Sequence, residues 1–132
     1  MDDVTIDDFM TGLIATCASR GLSTLSLRGE RFFEAMAASY SELDWASARG
    51  GLDVRFVIIL DDLYGDSPVV RDAVSRAVQR NLISLDNPEF QDMRIKFGRD
   101  EAARLLSDLP GGPDMYEAIA SAYLRARQHA AA

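Results

Sequence analysis

The chain has 132 residues, of which 48% are hydrophobic and 27% are charged. These values are typical of one globular domain and exclude a wholly disordered chain. The formal net charge is −7, which disfavours diffuse attraction to nucleic acid, because phosphate neutralisation supplies most of that binding. Cys17 is the single cysteine, so an internal disulfide framework is excluded and a cytoplasmic location is expected.

The first half of the chain predicts two helices. Apolar residues recur at helical spacing over residues 5–19, and Gly21 ends that pattern. Residues 22–27 alternate apolar and polar side chains, which fits a short strand or an extended lead-in. A second helix is predicted over residues 28–48, and the glycine pair at 50–51 breaks it.

The middle of the chain holds the clearest local signal. Residues 52–64 predict a third helix, although their centre is rich in β-branched residues and a buried strand stays an open alternative. Gly65 then suits the end of a helix, Ser67 suits the cap of the next one, and Pro68 suits its first turn. A fourth helix is therefore predicted over residues 68–82.

The remaining elements are a β-hairpin and two helices. Strand-like runs at 82–85 and 93–97 flank a turn-rich stretch, which predicts a hairpin with a long tip. Helices are predicted over 99–109 and 114–128, with a Pro/Gly break at 110–113 between them. The fold class expected is mainly α with one β-hairpin. No apolar run is long enough to span a bilayer, so no membrane partner is expected.

The predicted order of helix, glycine-containing turn, helix, hairpin and helix resembles a winged helix-turn-helix unit. The pattern Leu60-x-x-Leu63-x-Gly65-x-Ser67-Pro68 resembles the turn and recognition-helix start of bacterial winged-helix repressors. Asn87-Pro88 and Asp92-Met93-Arg94 resemble the wing of MarR-type transcriptional regulators. The resemblance divides a single domain, residues 1–132, into N-terminal helices at 5–48, a winged-helix core at 53–107 and a C-terminal helix at 114–128.

This resemblance implies a DNA-binding transcriptional regulator whose helix 68–82 reads the major groove while the hairpin contacts the backbone or the minor groove. Arginine, glutamine and serine side chains donate hydrogen bonds to base edges and phosphates. The candidate DNA-binding residues are Arg71, Ser75, Arg76, Gln79, Arg80, Arg94, Lys96 and Arg99. The hypothesis requires the arginines of the helix and of the hairpin to form one cationic patch. Scattered arginines, or arginines in internal ion pairs, favour a protein-contacting module.

Duplex DNA and a second copy of the chain are the partners that the resemblance implies, because MarR-type proteins build their dimer interface from flanking helices. The candidate dimer residues are Phe9, Leu13, Ile119 and Tyr123. The alternative function is that of an acidic adaptor, inhibitor or complex subunit that binds protein through a winged-helix shape. Residues 1–66 hold 12 acidic and 5 basic residues, which favours this alternative.

The sequence predicts a protein that is not an enzyme and that carries no cofactor. It has no convincing acid–base pair, no activated nucleophile and no Gly-rich phosphate loop. Asp61, Asp62 and Asp66 lack the spacing of a calcium-binding loop, and Cys17 with the distant His129 does not make a zinc site. No catalytic residue and no metal ligand is therefore expected.

Overall fold

A computed structural model describes residues 3–27, 31–60, 67–85 and 92–131, with side chains described as far as residue 127. Several predicted features lie outside these ranges. They are the start of the second helix at 28–30, the end of the predicted third helix with its acidic cluster and glycine turn at 61–66, and the hairpin tip at 86–91.

The described chain is mainly helical, with a small three-stranded antiparallel sheet. Its helices are α1 (Ile6–Ser19), α2 (Arg31–Gly50), α3 (Pro68–Gln79), α4 (Arg99–Asp108) and α5 (Gly112–Ala131). Its strands are β1 (Asp3–Val4), β2 (Thr24–Ser26), β3 (Asp53–Val54), β4 (Ile83–Ser84) and β5 (Asp92–Ile95). The helices predicted at 5–19, 28–48, 68–82, 99–109 and 114–128 are confirmed, with ends that shift by a few residues. No helix within the described ranges is long and apolar enough to cross a membrane.

Two helices begin at residues whose side chains cap them, Thr5 for α1 and the predicted Ser67 for α3. The Thr5 hydroxyl accepts a hydrogen bond from the Asp8 backbone N–H at 3.1 Å, and the Asp8 carboxylate accepts one from the Thr5 N–H at 3.0 Å. This reciprocal pair satisfies two backbone donors that the first turn of α1 would otherwise leave open. Ser67 caps α3 by accepting from the Val70 N–H at 3.3 Å, directly before Pro68.

The end of α3 directs the chain into the sheet. Asn81 adopts a positive φ of 65°, a left-handed conformation that asparagine tolerates better than most residues. The Leu82 N–H then donates to the Ala77 carbonyl at 3.0 Å, which closes the last turn of the helix. The strand β4 begins one residue later, so the sheet directly follows α3.

The predicted hairpin is confirmed, and it gains a third strand from the N-terminal part of the chain. The strand order is β2-β5-β4, and both pairings are antiparallel. Leu25 of β2 lies opposite Met93 of β5, and Ile83 of β4 lies opposite Ile95. A separate parallel pair joins β1 to β3, with Val4 beside Val54.

The helix predicted at 52–64 is wrong for its described part, residues 52–60. The strand alternative is met only by the short β3, which is half-buried. Residues 55–60 continue without regular secondary structure, and we call them the extended segment because the burial of their side chains alternates as in an extended chain. Burial alternates along this segment: Val57 and Ile59 are exposed, whereas Ile58 is buried. The β-branched side chains favour this extended form over a helix, because their rotamers are restricted in a helical turn.

The core is formed where α1 packs against α3, α4 and α5 and where α2 packs against α5. Phe56 anchors the extended segment to this core, since its ring centroid lies 5.5 Å from that of Phe9 and 5.4 Å from that of Tyr40. The segment therefore runs across α1 and α2 with one side held in place.

Candidate functional site

The outward face of α3 carries three of the predicted DNA-binding residues in one line. Arg71, Ser75 and Gln79 are exposed and lie four residues apart, a spacing that places side chains one above another on a helix. The Arg71 guanidinium carbon lies 5.8 Å from the centre of the Phe33 ring, so Arg71 also covers the start of α2. This line is polar but contains only one cation.

Arg76 of α3 and Arg80, the residue that directly follows this helix, face α1 and not the outward line. The Arg76 Nε donates to both carboxylate oxygens of Asp7, at 2.9 and 3.1 Å. The Arg80 Nη1 donates to the Thr11 hydroxyl at 3.0 Å. Both side chains of the pair between Arg76 and Asp7 are partly exposed, so the pair itself adds only about 0–1 kcal/mol to stability. Its effect is to bring Arg76 into an internal ion pair.

The hairpin presents a second cationic group. Arg94 and Lys96 are exposed and alternate with the less exposed Ile95, so they occupy one face of the sheet. The Lys96 Nζ donates to the Asn81 side-chain oxygen at 2.6 Å, and its backbone N–H donates to the Leu82 carbonyl at 3.0 Å. Lys96 is thus fixed beside the turn that follows α3.

Arg99 lies apart, at the start of α4 and close to the turn at Gly21. A Cβ atom at Gly21 would lie 3.1 Å from Arg99 Nη2. Of the residues predicted to bind DNA, the structure therefore aligns three on α3, places two on the hairpin, turns two towards α1 and leaves Arg99 at another turn. The engagement of Arg76 by Asp7 is the arrangement that favours a protein-contacting module.

The residues predicted to form a dimer interface are buried inside the single chain. Phe9, Leu13 and Ile119 are fully buried, and Tyr123 is 1% exposed. They belong to the apolar faces of α1 and α5, which pack against other helices of the same chain. Their burial gives no support to a dimer interface at these positions, because helical periodicity marks a face that is buried without identifying what covers it.

The most exposed large apolar side chains lie elsewhere, at residues that no sequence pattern singled out. Val57 is 55% exposed and Ile59 is 75% exposed, and they lie on the same side of the extended segment. We call these two residues the aliphatic pair. Trp45 on α2 is 58% exposed, and the Arg49 guanidinium carbon lies 4.5 Å from the centre of its ring. The sequence feature that could have indicated the aliphatic pair is the apolar run Phe56-Val57-Ile58-Ile59-Leu60, which was interpreted as part of a helix.

The described residues offer no cluster for metal binding. They contain no group of three His, Cys, Asp or Glu side chains placed to hold a metal ion. Burial raises the pKa of the Cys17 thiol to about 11, so this cysteine stays protonated and unreactive near neutral pH.

The chain matches no family model, no curated protein and no solved structure. Its function must therefore be inferred from its own surface.

Proposed function

We propose that this chain is a protein-binding adaptor or complex subunit that contacts its partner through the aliphatic pair. The observation that carries the proposal is the exposure of two neighbouring aliphatic side chains, Val57 and Ile59, on an extended segment that the core holds in place. Exposed apolar side chains that lie together are typical of interaction sites.

The segment is prepared for binding because its other side is anchored. Ile58 is buried between the two exposed residues, and the Phe56 ring packs on Phe9 and Tyr40. A partner therefore meets a surface that loses little conformational freedom when the complex forms. Complete burial of one valine or isoleucine side chain contributes about 1.5–3 kcal/mol, so this pair alone provides a useful anchor.

The charge of the molecule supports a protein partner over nucleic acid. The net charge is −7, and Arg76 is engaged by Asp7. Arg55, which begins the extended segment, lies 3.2 Å from the Asp3 carboxylate and 3.5 Å from that of Asp53. Acidic side chains of the same chain thus partly neutralise Arg55 and Arg76, which leaves less positive charge for binding phosphates.

A site-specific photo-crosslinking experiment tests this proposal. A photoreactive amino acid is placed at Ile59 in the cells that naturally make the protein, and the same amino acid at Val69, which is 42% exposed on α3, serves as the matched control. We expect a covalent protein adduct of defined mass from position 59 and none from position 69. The double variant Val57→Ser/Ile59→Ser, with the same complex measured by affinity chromatography, should bind at least tenfold more weakly.

The proposal fails if position 59 yields no adduct, or if the double variant, shown by circular dichroism to be folded, retains the complex at full affinity. A specific shift of duplex DNA by the wild-type protein, unaffected by the double variant, would select the second candidate below.

The second candidate is a dimeric winged-helix DNA-binding regulator, and the order of α3 and the sheet favours it. A helix with an exposed polar line is followed at once by an antiparallel hairpin, as a recognition helix is followed by its wing. Arg71, Ser75 and Gln79 supply the line, and Arg94 and Lys96 supply the hairpin cations. In this proposal Arg76 and Arg80 support α1 and do not read bases.

Fluorescence anisotropy with duplex DNA at low salt tests the second candidate. The variant Arg71→Ala/Arg94→Ala should weaken binding by about tenfold or more. It should also reduce the slope of log affinity against log salt by about 0.9 for each phosphate that the variant no longer neutralises. Arg104→Ala is the matched control, because Arg104 is exposed on α4 and pairs with Glu101 at 3.3 Å. Absence of binding to any duplex at low salt removes this candidate.

A further inference from the structure

Two polar atoms of α5 are buried without a hydrogen-bond partner. They are the hydroxyl oxygen of Tyr123, whose side chain is 1% exposed, and the Nη1 atom of Arg127. Residues four apart on a helix lie on one face, so these two side chains are neighbours. Buried polar groups are nearly always hydrogen-bonded in folded proteins, and two unpartnered groups side by side indicate a bound species between them.

The Tyr123 hydroxyl and the Arg127 guanidinium both remain hydrogen-bond donors in these surroundings. The Phe32 ring meets the Tyr123 ring edge-on at 6.4 Å, and Cys17 of α1 is fully buried. Burial raises the pKa of the Tyr123 hydroxyl above its ordinary value; the Arg127 charge lowers it, and Cys17 raises it further. The hydroxyl therefore stays protonated, and both Arg127 and Cys17 lie within electrostatic reach of it.

Among the residues that the structure describes, none supplies a negative charge to balance Arg127. Arg127 forms no ion pair with any carboxylate in the described part of the chain, and its neighbour Tyr123 is neutral. The buried Nη1 of a guanidinium is stabilised more by an acceptor that carries charge than by a neutral one, so an anion suits this position better than a water molecule does.

We propose that the Tyr123 hydroxyl and the Arg127 Nη1 bind one small monovalent anion, such as chloride, on the face of α5 that packs towards α1. The anion accepts one hydrogen bond from each group and balances the guanidinium charge. This site is independent of the aliphatic pair and of the function proposed for it.

Unfolding measurements at constant ionic strength test this proposal, with sodium chloride replaced stepwise by sodium gluconate, whose anion is much larger than chloride. Above the dissociation constant, each tenfold rise in chloride should lower the unfolding equilibrium constant by up to tenfold in the wild type. The variant Arg127→Gln should lose this dependence, and Tyr123→Phe should weaken it. Arg125→Gln, which alters an exposed arginine of the same helix, should retain it.

A crystal of the wild-type protein grown with sodium bromide gives a direct readout that does not depend on the variants. We expect an anomalous peak within hydrogen-bond distance of both the Tyr123 hydroxyl and the Arg127 Nη1. A water molecule at this position without bromide signal, or equal stability of the wild type in the two salts, overturns the proposal.

Discussion

Gly12 is the residue at which a single added methyl group has the largest expected effect. A Cβ atom there would lie 2.1 Å from the ring of Tyr116, which is fully buried and donates a hydrogen bond to the Pro110 carbonyl at 2.8 Å. Alanine is the better helix former by about 1 kcal/mol, but the ring cannot move aside without losing its place between α1 and α5. We expect Gly12→Ala to destabilise the protein by about 1–3 kcal/mol in chemical denaturation.

The control for this change is Gly50→Ala at the end of α2. A Cβ atom at Gly50 meets nothing within 4 Å, so the helix-propensity gain is not opposed there. Gly50→Ala should leave the denaturation midpoint unchanged or raise it slightly. A Gly12→Ala protein as stable as the wild type would show that α1 and α5 can separate at little cost.

Some residue contacts follow from local sequence, and others do not. The Thr5 and Ser67 caps were predictable because a cap and the N–H it accepts from are three residues apart. The bond between Arg76 and Asp7 joins residues 69 apart, and only the packing of α3 on α1 brings them together. The outward line of Arg71, Ser75 and Gln79 could be predicted from helical spacing, whereas the removal of Arg76 from the candidate site could not.

At the scale of elements, helices with a clear periodic face were predicted and the extended segment was not. Residues 55–60 present apolar side chains on both sides, so neither a period of two nor a period of 3.6 residues distinguishes the exposed ones from the buried ones. The parallel pairing of β1 with β3 also went unpredicted, because each strand has only two residues. Tertiary packing, and not local preference, defines this part of the fold.

For the hairpin, local sequence predicted one strand pairing correctly but did not predict the whole sheet. Turn-forming residues between two apolar runs identified the pairing of β4 with β5. The third strand, β2, was left open between a strand and a lead-in, because its pairing partner lies far away along the chain. The sequence could therefore predict a hairpin but not the sheet to which it belongs.

For the whole molecule, burial of ionisable groups makes stability depend on alkaline pH. The Cys17 pKa rises from its ordinary value of 9.0 to about 11, and burial also raises the pKa of Tyr116 and of Tyr123. The unfolded chain therefore releases protons that the folded chain retains, so stability is full below pH 9 and falls as the pH rises through 9 to 11. Cys17 alone accounts for a loss of about 3 kcal/mol at most.

Urea denaturation between pH 7 and pH 11 measures this effect. We expect a constant free energy of unfolding up to about pH 9 and a steady decrease above it. Cys17→Ala should show a shallower decrease between pH 9 and pH 11, with the remainder due to the tyrosines whose pKa is raised by burial. Identical pH profiles for the two proteins would mean that Cys17 is solvated in the folded state.

The sheet joins residues 24–26 to residues 92–95, and this long separation has a consequence for biosynthesis. While the ribosome is still translating, β2 and the apolar face of α1 emerge long before β5, α4 and α5 exist to cover them. The apolar face of the nascent N-terminal half therefore stays uncovered until the residues of α5 have left the ribosomal exit tunnel. Folding of these residues is thus completed only after α5 has emerged, and chaperones can bind the uncovered apolar face until then.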